Sequence, residues 1–332
     1  MHRHWLFRCA LFVLFTAAGL VISCEFSAQE VPAKGVANTL KPGEIMRVGD
    51  RIITGEQLIA RMWDFEFMTQ PKNRVLNDSL VYLRDTAVIE LEAKRLGGVP
   101  LSEKEIDEET DRQLNAIKQM VKEETHGTLT LNEWLEQQNV GMDVESFRVY
   151  VRERAPTFIT RRILVRYFEA TEPSLECKHI LVKTLAEAND IHDVLDDVAK
   201  DDINTKFEDL AVQRSIDPAA GITKGKLPRI YENDGTLVKE AAEALWKLKD
   251  GEYSKPVHTQ YGYHIFKRDR TFTPERKPLN ALRAELMKAP DRNNESDYFN
   301  RWIRWVFNTQ KYKIERRLPG FDCRPGKPNE EK

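Results

Sequence analysis

Cys177-Lys178-His179-Ile180-Leu181-Val182-Lys183 and, further along, Val257-His258-Thr259-Gln260-Tyr261-Gly262-Tyr263-His264-Ile265-Phe266 bound the stretch whose reading decides the fold. Both segments read as short strands, because β-branched and aromatic residues alternate there with polar ones. On a pleat of period two, His179 shares a face with Leu181, and His264 shares one with Gly262 and Phe266. Each imidazole is therefore expected to point into a partly apolar interior. Between the strands, Ala188, Ile191, Val194, Leu195 and Val198 lie at helical spacing and predict a helix over 187–198. A shorter turn set covers 207–212, a loop rich in Pro, Gly and Lys covers 217–228, and a third helix over 238–248 is stopped at Gly251. The order strand, helix, short helix, loop, helix, strand predicts a small α+β domain over 173–270, with helices packed on a mainly antiparallel sheet.

This block resembles the parvulin-type (PpiC-like) peptidyl-prolyl isomerases. The residues that carry the resemblance are the Lys178–Lys183 opening, Phe207-Glu208-Asp209-Leu210-Ala211, Ser215-Ile216-Asp217-Pro218, Ala241-Ala242-Glu243-Ala244-Leu245, Gly251–Val257 and Thr259–Ile265, in that order. The resemblance implies that His179 and His264 are the paired histidines of the site, Asp217 its acidic member and Thr259 its hydroxyl. Leu237 then falls near one wall of a proline cup, with Ile230, Ala241 and Tyr261 as further substrate-binding positions. Gly225-Lys226-Leu227-Pro228 departs from the family's Gly-Asp-Leu-Gly turn, and Ile230 and Ala241 (or Val238) stand where aromatic residues are usual. A shallower cup is expected from these changes. Leu185-Ala186-Glu187 follows Lys183 where phospho-selective members carry a basic cluster, so phosphoproline selectivity is not expected. No cofactor is implied, because rotation about an Xaa–Pro bond needs neither redox chemistry nor proton transfer. His2, His4, His126, His192 and His258 have no evident partners and read as surface residues.

The N-terminus reads as a targeting segment over 1–24. Arg3 and Arg8 precede an apolar run that ends in Leu20-Val21-Ile22-Ser23-Cys24, which resembles a bacterial lipobox with Cys24 as the lipidated residue. An ordinary cleaved signal peptide and an uncleaved anchor helix are the alternatives. Each places the folded part outside the cytoplasm, and the lipid or anchor readings attach it to a membrane. The remaining roughly 300 residues suffice for two domains. A net charge of −2 with 31% charged residues excludes the basic excess of a dedicated nucleic-acid binder. Of the four cysteines, only Cys177 and Cys323 lie beyond the leader, and their pairing is not expected, because one sits on a strand and the other in a polar tail. No Cys/His grouping has the close spacing of a zinc site.

Residues 25–43 are polar, contain Pro and Gly, and read as a tether. A short strand pair is expected around Gly49-Asp50. Thr54–Gln57, Ser102–Glu105 and Thr130–Glu133 are capping boxes that start helices, and Asp143 caps another through Phe147, Val151, Phe158, Ile163 and Tyr167, with a kink at Pro156. The first of these helices carries Leu58, Met62, Phe65, Phe67 and Met68, and a further helix over 74–96 ends at Gly97-Gly98. This half resembles the chaperone domain of the SurA/PrsA class of secreted foldases. The resemblance implies a helical chaperone-like domain over 44–172, completed by a C-terminal segment over 271–319 whose one helix, 297–307, is rich in aromatic residues. Residues 320–332 read as a disordered tail. Two functions follow as expectations: an extracytoplasmic isomerase acting on unfolded or partly folded exported polypeptides with Xaa–Pro bonds, or a holdase whose parvulin module has lost catalysis.

Overall fold

The computed structural model describes residues 40–63, 72–138, 141–288 and 295–316. The leader with Cys24, most of the proposed tether, Phe65, Phe67, Met68, Cys323 and the tail lie outside the described residues. Two compact units emerge. Among the described residues, one joins those up to Phe168 to 277–316, and the other is Glu169–Arg276.

The first unit is helical around a small sheet. Strands β1 (Glu44–Val48) and β2 (Arg51–Thr54) form a hairpin about Gly49-Asp50. Helix α1 (Gly55–Met62) follows, capped reciprocally by Thr54 and Gln57. Helix α2 is Lys72–Arg95, and the N–H of Gly98 caps it by donating to the Ala93 carbonyl. Helices α3 (Glu103–Glu124) and α4 (Leu131–Gln137) begin at the Ser102/Glu105 and Thr130/Glu133 boxes. The Asp143 carboxylate accepts from Ser146 N–H to start α5 (Val144–Thr171), which continues through Pro156. Leu114, Val121, Trp134, Leu135, Phe147 and Val151 form the core that α3, α4 and α5 share.

The C-terminal segment differs from the single helix expected. It holds α10 (Leu279–Lys288) and α11 (Glu295–Gln310), and then β7 (Ile314–Arg316), which pairs antiparallel with β1. A three-residue strand carries too little alternation to be read in advance; its partner strand defines it. The aromatic side chains of α11 are core: Phe299, Trp302 and Trp305 are buried, Trp305 meets the Phe168 ring at 5.0 Å, and the Arg161 guanidinium lies over Phe299.

Asp78 on α2 is buried with Oδ2 unpartnered, and burial pushes its carboxyl up to about 6 although Arg74 pulls it down. A carboxyl raised in the folded state costs stability as pH rises from the unfolded value near 4 through about 6, because only the unfolded chain then releases its proton cheaply. Asp78→Asn should therefore stabilise this unit at pH 7.5, by up to about 3 kcal/mol, and do so much less at pH 4.5. Melting curves at the two pH values test this; a difference independent of pH would contradict it.

The second unit is a four-stranded antiparallel sheet in the order β4-β3-β6-β5. Its strands are β3 (Ser174–Val182), β4 (Ile230–Tyr231), β5 (Val257–Thr259) and β6 (Gly262–Phe272). The closing segment, expected as one strand, is thus a hairpin turning at Gln260-Tyr261. Gly262 allows the turn: its φ is +132°, and a Cβ there would lie 2.4 Å from the Val182 carbonyl oxygen. Helix α6 (Leu185–Asp196) starts at a Thr184/Glu187 capping box, and α7 (Ile203–Arg214) is longer than the turn set predicted for it. The 217–228 segment contains a short helix, α8 (Ala220–Thr223), and α9 is Lys239–Lys247. One face of the sheet buries Ile180, Val182 and Ile265 against Ala188, Ile191, Leu195, Phe207 and Leu210. The other buries Leu175, Cys177 and Phe266 against Ile230, Ala241 and Leu245. Lys178 and Lys267 stand opposite each other across β3 and β6, both buried; the Asp269 carboxylate accepts from both ammonium groups and makes the pairing of like charges tolerable.

Candidate active site

Strands β3 and β6 pair so that His179 faces Phe266 and Leu181 faces His264. The two histidines are therefore diagonal neighbours on one face of the sheet. Both are buried, at 8% and 7% exposure, and the His264 ring lies parallel to that of Phe266 at 5.3 Å. Burial beside apolar and aromatic groups demands that their nitrogens find partners. They do so in a single chain. His179 Nε2 lies 2.7 Å from Asp217 Oδ2, His179 Nδ1 lies 3.3 Å from His264 Nδ1, and His264 Nε2 lies 2.9 Å from Thr259 Oγ1.

The partners assign the protons along this chain. The Asp217 carboxylate can only accept, so His179 carries its proton on Nε2. Its Nδ1 meets His264 Nδ1, and one of these two nitrogens carries the proton that joins them. His264 Nε2 meets the Thr259 hydroxyl, which also donates to the Gly262 carbonyl at 3.4 Å. Thr259 Oγ1 in turn accepts from Tyr261 N–H at 3.2 Å. Burial, then the neighbouring His179, lower His264 to about 4, so its ring is neutral at neutral pH. Burial opposes ionisation of Asp217, but Ala219 N–H and His179 outweigh it and hold the carboxyl below the usual carboxylate range.

The loop bearing Asp217 is fixed along the outer edge of β3. Ile216 N–H donates to the Leu181 carbonyl, His179 N–H to that of Gly225, and Leu227 N–H to that of Cys177. Ser215 Oγ accepts from the N–H groups of Leu181 and Asp217. Ser254 Oγ accepts from Phe266 N–H and steadies the strand under the histidines. Ser215 and Ser254 were not singled out by sequence reading; the Ser-x-Asp spacing was the available signal for the first.

The four proposed cup residues do not gather in one open pocket. Ile230 on β4 and Ala241 on α9 are closed off from solvent at 1% and 2% exposure, packed with Cys177 and Phe266. Their place on the inner side of β4 and α9 makes them core of that cluster. Leu237 is half-buried at the edge of the same cluster, and Tyr261 is exposed at the hairpin tip. Burial pushes the Cys177 thiol up to about 12, so it stays protonated and is no nucleophile. The expectation that His192 and His258 lack partners is also corrected: His192 Nδ1 lies 3.2 Å from Asp196 Oδ2, and the His258 ring packs on Tyr263. His192, Asp193 and Asp196 come together at the surface, where Tyr253 OH also donates to Asp196. The histidine–carboxylate and tyrosine–carboxylate bonds account for that cluster.

Comparisons with known proteins give the chain's similarities. Residues 179–270 match the Rotamase family, the PPIC-type PPIase domain. The foldase protein PrsA of Geobacillus kaustophilus is 31% identical over 229 residues, covering 69% of this chain and 73% of that protein. PrsA of another Geobacillus strain is 37% identical over 128 residues, covering 39% of this chain and 43% of that protein. Among solved structures, the peptidylprolyl isomerase PrsA of Bacillus anthracis is 21% identical, covering 70% of this chain and 98% of that one at a TM-score of 0.34.

Proposed function

Because this chain belongs to the PrsA family of foldases, we propose that it isomerises Xaa–Pro bonds of exported polypeptides through the network Asp217–His179–His264–Thr259. It is a peptidyl-prolyl isomerase that assists folding outside the cytoplasm, and its partners are unfolded or partly folded exported chains. The barrier to be lowered, about 20 kcal/mol, is amide resonance. A catalyst need only favour the twisted amide over the planar one. The planar form carries the greater negative charge on its carbonyl oxygen. A fixed carboxylate beside that oxygen disfavours the planar form, and a buried histidine pair excludes competing water. Asp217 supplies the carboxylate, the histidines hold it in place, and Thr259 terminates the chain. The observation that carries this reading is the unbroken run of three hydrogen bonds from Asp217 to Thr259. Leu237 and Tyr261 are the cup residues left near the surface.

A second reading, a holdase without catalysis, is favoured by the burial of Ile230 and Ala241, which leaves less apolar surface to receive a proline ring. Under the first reading, residues 173–270 are the isomerase domain, and residues 44–172 with 271–319 form a chaperone-like domain. A protease-coupled Xaa–Pro assay and an aggregation assay on one client separate the two. The chain from Glu25 onward should accelerate isomerisation and suppress aggregation, while a chain lacking 173–270 should only suppress aggregation. An unfolded deletion product would refute the domain division, and an inactive intact chain that still holds clients would favour the holdase.

Membrane attachment through a lipid on Cys24 completes the reading. It is supported by the basic start, apolar run and Ser23-Cys24 junction. A labelled fatty acid should mark the wild-type chain in bacterial cells but not Cys24→Ala; equal labelling would leave a plain signal peptide or an anchor helix.

A further inference from the structure

We propose that Ser215 is a positioning residue for isomerisation, whose hydroxyl fixes the Asp217 carboxylate against His179. This rests on the reading that the Asp217–His179–His264–Thr259 network carries catalysis.

Ser215 ends α7 and is half-buried where the chain leaves the helix for the loop. Its oxygen has two lone pairs, and both are taken. Leu181 N–H donates to it at 3.1 Å and Asp217 N–H at 3.3 Å. Leu181 belongs to β3, two residues beyond His179 and on the same face of the strand. One oxygen atom thus joins the strand that holds the imidazole to the backbone that holds the carboxylate. Beside it, Ile216 N–H donates to the Leu181 carbonyl at 2.8 Å, so the junction is closed on both backbone groups of Leu181.

The Asp217 carboxylate is held from its other side as well. Ala219 N–H donates to Oδ1 at 3.0 Å, which leaves Oδ2 directed at His179 Nε2. With backbone, Oδ1 and Oδ2 each fixed, the carboxylate has one orientation. That orientation keeps the proton on His179 Nε2 and holds the ring toward His264 and, through it, Thr259. Removing the Ser215 oxygen strands two N–H groups at the strand–loop junction and frees the Asp217 backbone. Water can satisfy those groups at a half-buried site, so the fold survives while the carboxylate loses its fixed place. The effect should then appear in the imidazole protons more than in the melting temperature.

The test compares wild type, Ser215→Ala, Ser215→Thr and Ser215→Val by ¹⁵N NMR of the imidazole nitrogens and by kcat and KM on one Xaa–Pro peptide. Thr keeps the oxygen, and Val has the shape of Thr without it, so this pair isolates the hydroxyl even where Ala perturbs the fold. Ser215→Ala and Ser215→Val should turn the single His179 Nε2–H pattern into a tautomer mixture and lower kcat on the order of tenfold, with KM little changed. Ser215→Thr should restore both. Wild-type imidazole signals in the folded Ala or Val variant would overturn the proposal, whatever their melting temperatures, because a merely structural serine leaves the tautomers alone. Asp217→Ala runs alongside: if it too leaves turnover intact, the network reading itself has failed, which is a separate outcome from unchanged imidazole signals in the Ser215 variants.

Discussion

Gly225→Ala is expected to unfold the isomerase domain or leave it without turnover. The site explains why. A Cβ at Gly225 would lie 2.5 Å from the His179 carbonyl oxygen and 2.9 Å from the Ala211 Cβ, and the residue has φ +75°. Neither neighbour is a flexible side-chain end: one is backbone of β3 and the other is packed core on α7. The clash and the left-handed backbone each cost about 1–3 kcal/mol, a large share of the stability of a domain this size. Relief can come only by pulling the loop off β3. That would break the hydrogen bond from His179 N–H to the Gly225 carbonyl and carry Asp217 away from His179. Thermal melting with hydrogen exchange at the His179 amide checks this; a variant with wild-type melting and full protection there would contradict it.

His264→Ala is expected to have the second largest effect. It removes the middle of the chain and leaves His179 Nδ1 buried without its partner, at about 1–3 kcal/mol, while the Thr259 hydroxyl keeps only Tyr261 N–H and the Gly262 carbonyl. It also removes the ring that lies flat on Phe266 and opens a cavity there. Both melting temperature and turnover should fall. His179→Ala should behave alike, since its ring bonds to Asp217 on one side and His264 on the other. A folded His264→Ala variant that melts with wild type would mean that the ring contributes no buried bond.

Much of this architecture was legible in the residues, for physical reasons that can be named. A strand of period two already puts His179 beside Leu181 and His264 beside Phe266, and capping boxes mark helix starts by chemistry local to four residues. The Thr184/Glu187 box starts α6 by the same local chemistry, ahead of Ala188, the first apolar residue of its periodic stripe. Other features depend on distant partners. β7 is a strand because β1 lies beside it, and the split of the closing segment into β5 and β6 depends on the close approach of Gly262 to Val182. The depth of Ile230 and Ala241 in the core was not legible for a related reason. Sequence position tells which residue occupies a family's position, but not whether β4 and α9 press that residue into the core. The role of Ser215 is not legible in the sequence, because a hydroxyl at a helix end is common and only the fold brings Leu181 N–H to it.

The central claim is that isomerisation depends on the Asp217 end of the network. Asp217 is half-buried on the loop, so its loss strands less than loss of either histidine and should move the melting temperature less. The most direct measurement is turnover per folded molecule of wild type and Asp217→Ala on one Xaa–Pro peptide, with melting curves of both. Wild type should accelerate isomerisation, and folded Asp217→Ala should keep on the order of a tenth of that rate or less. Full wild-type turnover in folded Asp217→Ala would contradict the assignment of the site.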